Sequence, residues 1–261
     1  MFVNSHRNDA HTPSLMLDWG IEGMRYALRN RNIIVVVDTL RFSTAVVTAV
    51  AHGFTIHPVA DRKSGEVLAS SIGANLAGKP GESKYTISPY SYLESAHEDN
   101  KEVVLFSPNG ANCSALVGRD NVAYVGCLLN AKTVGEYITA IARSMHTNVT
   151  VIAAGEQRAV DTGERIVYEK RAAYPVFAIE DYLGSGAIIC YSDLQKSAEA
   201  RVCQWAFERS KKMLIELMLD SFSGRYLVEN NLREDVEHAA RLNLYDVIPM
   251  IKDGRISNLR C

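Results

Sequence analysis

The chain lacks a long apolar run, a net charge of either sign worth using, and a cysteine pattern that could hold a fold together. No stretch stays apolar over the roughly 20 residues that a membrane-crossing helix needs, so no membrane span is expected. The formal net charge is -2, which leaves no basic footprint for nucleic acid. The five cysteines, Cys113, Cys127, Cys190, Cys203 and Cys261, are odd in number and include no Cys-x-x-Cys pair. That argues against a disulfide framework and a zinc knuckle, and fits a reducing cytoplasm. The histidines are scattered without ligand spacing, so zinc chemistry is not indicated.

Several phosphate-handling motifs are also missing. There is no Gly-x-x-x-x-Gly-Lys-[Ser/Thr] loop, and Asp38-Thr39-Leu40 lacks the second aspartate of an Asp-x-Asp phosphotransferase loop. Cys113 and Arg119 have the bare spacing of a cysteine phosphatase loop. However, Asn112 stands where a histidine is expected, and Leu116 and Val117 read as helix core. No internal repeat or low-complexity tract occurs. Residues 1–12 are polar, with no apolar signal region, and read as a loose lead-in.

What the sequence does hold is an ordinary globular composition, 47% hydrophobic and 22% charged over 261 residues, enough for one large α/β domain or two small ones. Trp19, Ile21, Met24, Tyr26 and Leu28 suggest a turn and a short helix. Ile33 to Val37 is an unbroken β-branched run, the pattern of a strand buried on both faces. A helix is expected over Ser43–His52 with Gly53 as its stop. Thr55–Val59 reads as a strand that lies at an edge or ends at Pro58, and Asp61 as the cap of the next helix. Strand signals return at Val103–Phe106, Val122–Val125 and Val149–Ala153, alternating with helical candidates at Gly110–Val117 and Ala131–Met145.

A helix is expected from Ile179, one long amphipathic helix over Ser197–Leu219, and another over Asp235–Leu242. Asp253-Gly254 predicts a hairpin turn. Strands alternating with helices predict an α/β fold, a layered mixed or parallel sheet flanked by helices, in a single unit over 1–261. The irregular stretch 78–100 is either a functional loop or a crossing where two lobes meet.

Four constellations sit after predicted strands or at a helix start, where ligands bind in open α/β sheets. Asp38-x-x-Arg41-x-Ser43-Thr44 couples a carboxylate leaving a buried strand to a planar guanidinium suited to phosphate or carboxylate. The plainer reading is a local Asp38–Arg41 ion pair beside a capping Ser43. Phe106-Ser107-Pro108-Asn109-Gly110 offers an amide and a close backbone approach, or simply an Asn-Gly turn. Glu156 follows Ala153-Ala154-Gly155, as a ligand or as a solvated loop residue. Glu180 and Asp181 begin a helix whose dipole they complement. If they lie near Asp38, they form a carboxylate cluster that calls for a cation such as Mg²⁺. Gly184 and Gly186 would let that helix pack tightly on the sheet.

Taken in order, these residues resemble the 2-phosphosulfolactate phosphatase family from about Trp19 onward. The matching stretches are Trp19-Gly20-Ile21-Glu22-Gly23, Val36-Val37-Asp38-Thr39-Leu40-Arg41 with Ser43-Thr44, and Asn109-Gly110. Further on come Gly126-Cys127-Leu128-Leu129-Asn130-Ala131, Ala153-Ala154-Gly155, and Glu180-Asp181 with Gly184 and Gly186. The resemblance implies a magnesium-dependent phosphatase of the coenzyme M route, acting on a small anionic substrate as a homodimer.

Carried over by position, Asp38, Glu180 and Asp181 would be metal or catalytic carboxylates, joined by Glu156 as a metal candidate. Arg41, Ser43, Asn109 and Gly110 would hold the phosphoryl group, with Thr44, Ser107 and Asn130 as further substrate contacts. The chain also departs from the family pattern. Asn109-Gly110-Ala111-Asn112 stands for Asn-Gly-Thr-Arg, and Ile87-Ser88-Pro89 for Asn-Ser-Pro, with Arg158 a candidate replacement charge. These departures keep two alternatives open, an enzyme of another class or an anion-binding protein on the same scaffold.

Overall fold

The structure, a computed structural model, describes residues 12–156, 159–161, 166–168 and 176–259. In chain order the first half holds β1 (Ser14–Trp19), α1 (Gly20–Arg29), β2 (Ile33–Val37), α2 (Phe42–Ala51), β3 (Thr55–Val59), α3 (Arg62–Ile72), β4 (Asn75–Leu76), α4 (Tyr90–Glu94), β5 (Glu102–Phe106), α5 (Gly110–Ala115), β6 (Ala123–Val125) and α6 (Ala131–Met145). The second half holds β7 (Val149–Ala153), β8 (Ala159–Asp161), β9 (Ile166–Tyr168), α7 (Ile179–Cys190), β10 (Gln195–Lys196), α8 (Ala198–Ser210), α9 (Leu214–Asp220), α10 (Phe222–Glu229), α11 (Arg233–Ala239), β11 (Pro249–Lys252) and β12 (Arg255–Asn258).

Ten strands form one mixed sheet in the order β10-β1-β7-β2-β6-β11-β12-β3-β5-β4. From β10 to β6 all neighbours are parallel, as are β3, β5 and β4. The β11–β12 hairpin joins the blocks and pairs antiparallel with both β6 and β3, so the two blocks run in opposite directions. Among the described residues, β8 and β9 pair only with each other.

β2 shows why the β-branched run matters. All five of its residues are fully buried. Ile33, Val35 and Val37 face one core with residues of α6 to α11, while Ile34 and Val36 face a second core with α1, α2 and α5. Burying a side chain of this size is worth about 1.5–3 kcal/mol relative to exposure, so a strand apolar on both faces is fixed at the centre of the layers.

Three expectations change. β1 goes unforeseen, although Leu15 and Leu17 alternate with Ser14, Met16 and Asp18 in a period of two. β3 is not an edge strand. It lies between β12 and β5, and β12 pairs with it at Ile56 alone, so Pro58 sits past that ladder contact. The helix expected over Ser197–Leu219 is broken, with a 3-10 turn at Lys211–Met213 between α8 and α9. Its buried stripe is Ala200, Cys203, Phe207, Leu214 and Met218, while Val202 and Trp205 are exposed.

The 78–100 stretch is largely irregular, anchored by Tyr85 and Tyr92 against Phe54. No helix among the described residues is long and apolar enough to cross a membrane.

Candidate active site

Asp38 is the first residue beyond β2 and is only 4% exposed. Its oxygens do not pair with Arg41. Oδ2 accepts the Gly110 N–H at 2.8 Å and the Ser107 hydroxyl at 3.4 Å, and Oδ1 accepts the Phe42 N–H at 3.2 Å. The strand end after β2 and the strand end after β5 therefore meet on one carboxylate, although their blocks run in opposite directions. Burial drives the Asp38 carboxyl up to about 7, the Glu156 and Glu180 charges push the same way, and the Gly110 and Phe42 N–H groups oppose them.

The other acids come from two later segments. Asp181, in the first turn of α7, is 3% exposed; its Oδ1 accepts the Thr39 N–H at 2.7 Å and its Oδ2 the Gly155 N–H at 2.9 Å. Burial raises its carboxyl well above the ordinary range, helped by the Asp38 and Glu180 charges, against those two N–H groups. Glu180 is also buried and raised, mainly by desolvation, while the Ser223 and Ser221 hydroxyls pull it down. Glu156 accepts the Asn109 side-chain amide at 3.0 Å on Oε1 and the Ser223 hydroxyl at 3.4 Å on Oε2. Its backbone is bridged to Val176.

Thus Asp38, Ser107, Asn109, Gly110, Glu156, Glu180 and Asp181 belong to one connected cluster. Among the described residues, no lysine or arginine forms an ion pair with Asp38, Glu180 or Asp181.

The remaining candidates make other contacts. Ser43 is fully buried; its Oγ accepts the Asp38 N–H at 2.8 Å and donates to the Val36 carbonyl at 3.3 Å. Thr44 donates to the Thr39 carbonyl at 2.8 Å. Both brace the Asp38–Thr39 turn from inside. Asn130 is fully buried; it accepts the Cys127 N–H at 3.0 Å and donates to the Val247 carbonyl at 3.2 Å. The side chains of Ser43, Thr44 and Asn130, expected as substrate contacts, make these internal bonds. Arg41 pairs with Asp235 instead of Asp38. Arg158 lies outside the described residues.

Sequence reasoning missed Thr39, Ser221, Ser223 and Asp235. The one local signal was Ser221-x-x-Gly224, where the serine hydroxyl caps α10 by accepting the Gly224 N–H at 2.9 Å.

As placed, no three His, Cys, Asp or Glu side chains among the described residues converge closely enough to cage a metal ion. The chemistry of the donor set still suits a hard cation. Burial and neighbouring acids together raise the proton affinity of Asp38, Glu180 and Asp181, and a divalent ion bound to oxygen would relieve that cost.

Fold and site define an α/β protein with a buried acidic centre where strand ends converge. A sequence profile for 2-phosphosulpholactate phosphatase matches residues 22–254. The chain belongs to the 2-phosphosulfolactate phosphatase family, and so to a class of phosphoric monoester hydrolases. It is 29% identical over 231 residues to a probable 2-phosphosulfolactate phosphatase of Carboxydothermus hydrogenoformans, covering 85% of this chain and 88% of that protein. It is 29% identical over 227 residues to the 2-phosphosulfolactate phosphatase of Methanothermobacter thermautotrophicus, covering 86% and 88%. A probable 2-phosphosulfolactate phosphatase of Pseudothermotoga lettingae is 25% identical over 231 residues, covering 86% and 92%.

Proposed function

We propose that this chain hydrolyses the phosphate monoester of a small hydroxy acid, 2-phosphosulfolactate or a relative of it, at the Asp38 centre. The observation that carries this reading is a carboxyl buried at a strand end, held by the Gly110 N–H and raised to about 7. Such a group changes protonation near neutral pH. Once ionised, it can join the neighbouring acids in holding a cation beside a phosphoryl group.

Asp38, Glu156, Glu180 and Asp181 are the residues that would hold Mg²⁺, which when bound neutralises the phosphoryl oxygens. Asn109, tied to Glu156, and Arg41 are the groups that would meet the anionic substrate. Cytoplasmic location fits the unpaired state of the four described cysteines. Homodimer formation draws support from Val202 and Trp205, exposed together on α8.

The test is phosphate release from a panel of phosphorylated hydroxy acids, with Mg²⁺ and with a chelator, for wild type and Asp38→Asn. Release that needs both the metal and Asp38 is expected. No release from any member, with the two proteins indistinguishable, ends this reading.

A further inference from the structure

Asp235 lies in α11, remote in sequence from every acid of the Asp38 centre, and is 2% exposed. Its two oxygens serve two partners. Oδ1 accepts the Ser88 hydroxyl at 2.6 Å, and Oδ2 pairs with Nη1 of Arg41. Three segments, the β2–α2 turn, the irregular 78–100 stretch and α11, thereby close on a single carboxylate.

The form of the Arg41 contact is informative. A guanidinium carries five N–H donors, and carboxylates frequently engage two nitrogens of the fork at once. Here Asp235 takes Nη1 alone, and no other hydrogen bond to the Arg41 side chain occurs among the described residues. The Arg41 side chain also keeps 17% exposure. One arm is anchored and the rest of the fork remains available. The turn that carries it begins at Asp38, and its Phe42 lies against Gly110.

We infer that Asp235 is a positioning residue, which fixes the Arg41 guanidinium and the Ser88 hydroxyl on one buried carboxylate so that the free edge of Arg41 receives an anionic group of the substrate. The inference rests on the phosphatase reading of the Asp38 centre. The competing role is a carboxylate that occupies Arg41 in the substrate's place, and it predicts the opposite change in affinity.

The test is Asp235→Asn, which keeps the size and a carbonyl acceptor for Ser88 but removes the ion pair. Inorganic phosphate is the binding probe, followed by calorimetry. The kinetic arm uses the best phosphoester of the panel with Mg²⁺. The expected result is a Kd for phosphate and a KM each raised about tenfold, the weight of one charge-assisted hydrogen bond, with kcat held within about threefold.

A variant with a lowered Tm but unchanged Kd and KM makes Asp235 merely structural and overturns the inference. So does tighter phosphate binding, or a loss confined to kcat. If Asp235→Asn does not fold, Ser88→Ala decides, because it removes only the second support. Its phosphate Kd must rise about threefold, and an unchanged value overturns the inference. A wild-type chain that binds phosphate but hydrolyses nothing ends the phosphatase reading alone, and the phosphate arm still judges Asp235. A wild-type chain that binds no phosphate overturns both.

Discussion

The N–H of Gly110 lies 2.8 Å from Asp38 Oδ2, and a β-carbon at position 110 would stand 2.8 Å from the same oxygen and 2.4 Å from Phe42 Cδ1. The hydrogen bond and the missing side chain are thus one requirement, because the backbone can approach the carboxylate only where nothing projects. Gly110→Ala is expected to displace the Asp38 carboxylate or the β2–α2 turn. Overpacking of this kind costs about 1–3 kcal/mol, and activity should fall by at least about tenfold in the fraction that still folds. Urea unfolding and kcat, measured on the same preparation, check both halves of the expectation.

The pH dependence of stability follows from the same carboxylate. Asp38 is raised from its ordinary 3.8 to about 7, mainly by burial. Between those values the folded chain holds more protons than the unfolded one, so stability falls as pH rises across the window. Glu180 and Asp181 shift in the same direction and add to the slope. A slope on the order of 1 kcal/mol per pH unit per group is expected in metal-free buffer. Asp38→Asn should flatten it. Urea midpoints from about pH 5 to about pH 8 give the comparison, and a wild-type midpoint that rises with pH would contradict the argument.

Local signals carried the scaffold. The β-branched run of β2 and the Asp253-Gly254 turn, with φ of 50° and 74°, each state their geometry within a few residues. The break after α8 was not legible, because Lys211 and Lys212 are good helix formers and no glycine or proline marks the spot. In the site, Asp38, Asn109-Gly110 and Glu180-Asp181 were legible through their position at strand ends and helix starts, reinforced by family resemblance. Their partners were not. Ser223 meets Glu156 across 67 residues and Asp235 meets Arg41 across 194. No local pattern specifies which distant side chain will fill a lone pair.

Mg²⁺ should stabilise the chain, and more so at high pH. A cation binds the ionised carboxylates, so protons compete with it at the raised Asp38, Glu180 and Asp181. At about 100 times its Kd the ion contributes about 2.7 kcal/mol. The rise in Tm on adding Mg²⁺ is therefore expected to be larger near pH 8 than near pH 5.5, to reverse with a chelator, and to shrink in Asp181→Asn. A Tm that ignores Mg²⁺ at both pH values would rule out the acidic cluster as its site.

Two glycines of α7 allow stability and catalysis to be separated. Both were expected to let the helix approach the sheet, but only one does so. A β-carbon on Gly184 would meet Thr39 Oγ1 at 2.5 Å and Val37 Cγ1 at 3.2 Å, on the side of β2. One on Gly186 would meet the Cys203 carbonyl oxygen at 2.5 Å and Phe207 Cβ at 2.8 Å, on the side of α8. Thr39 Oγ1 has no hydrogen-bond partner among the described residues and can swing aside, whereas the α8 backbone must move as a body. Gly186→Ala should therefore cost more stability, about 2–3 kcal/mol against about 1 kcal/mol for Gly184→Ala. The order for catalysis should be the reverse. The Thr39 N–H holds Asp181 at 2.7 Å, so disturbing Thr39 shifts the acidic cluster, while α8 lies on the far side of the helix from it. Comparing kcat per folded molecule with Tm for the two variants tests this. Equal kcat losses would show that the cluster senses helix packing as a whole and not Thr39 in particular.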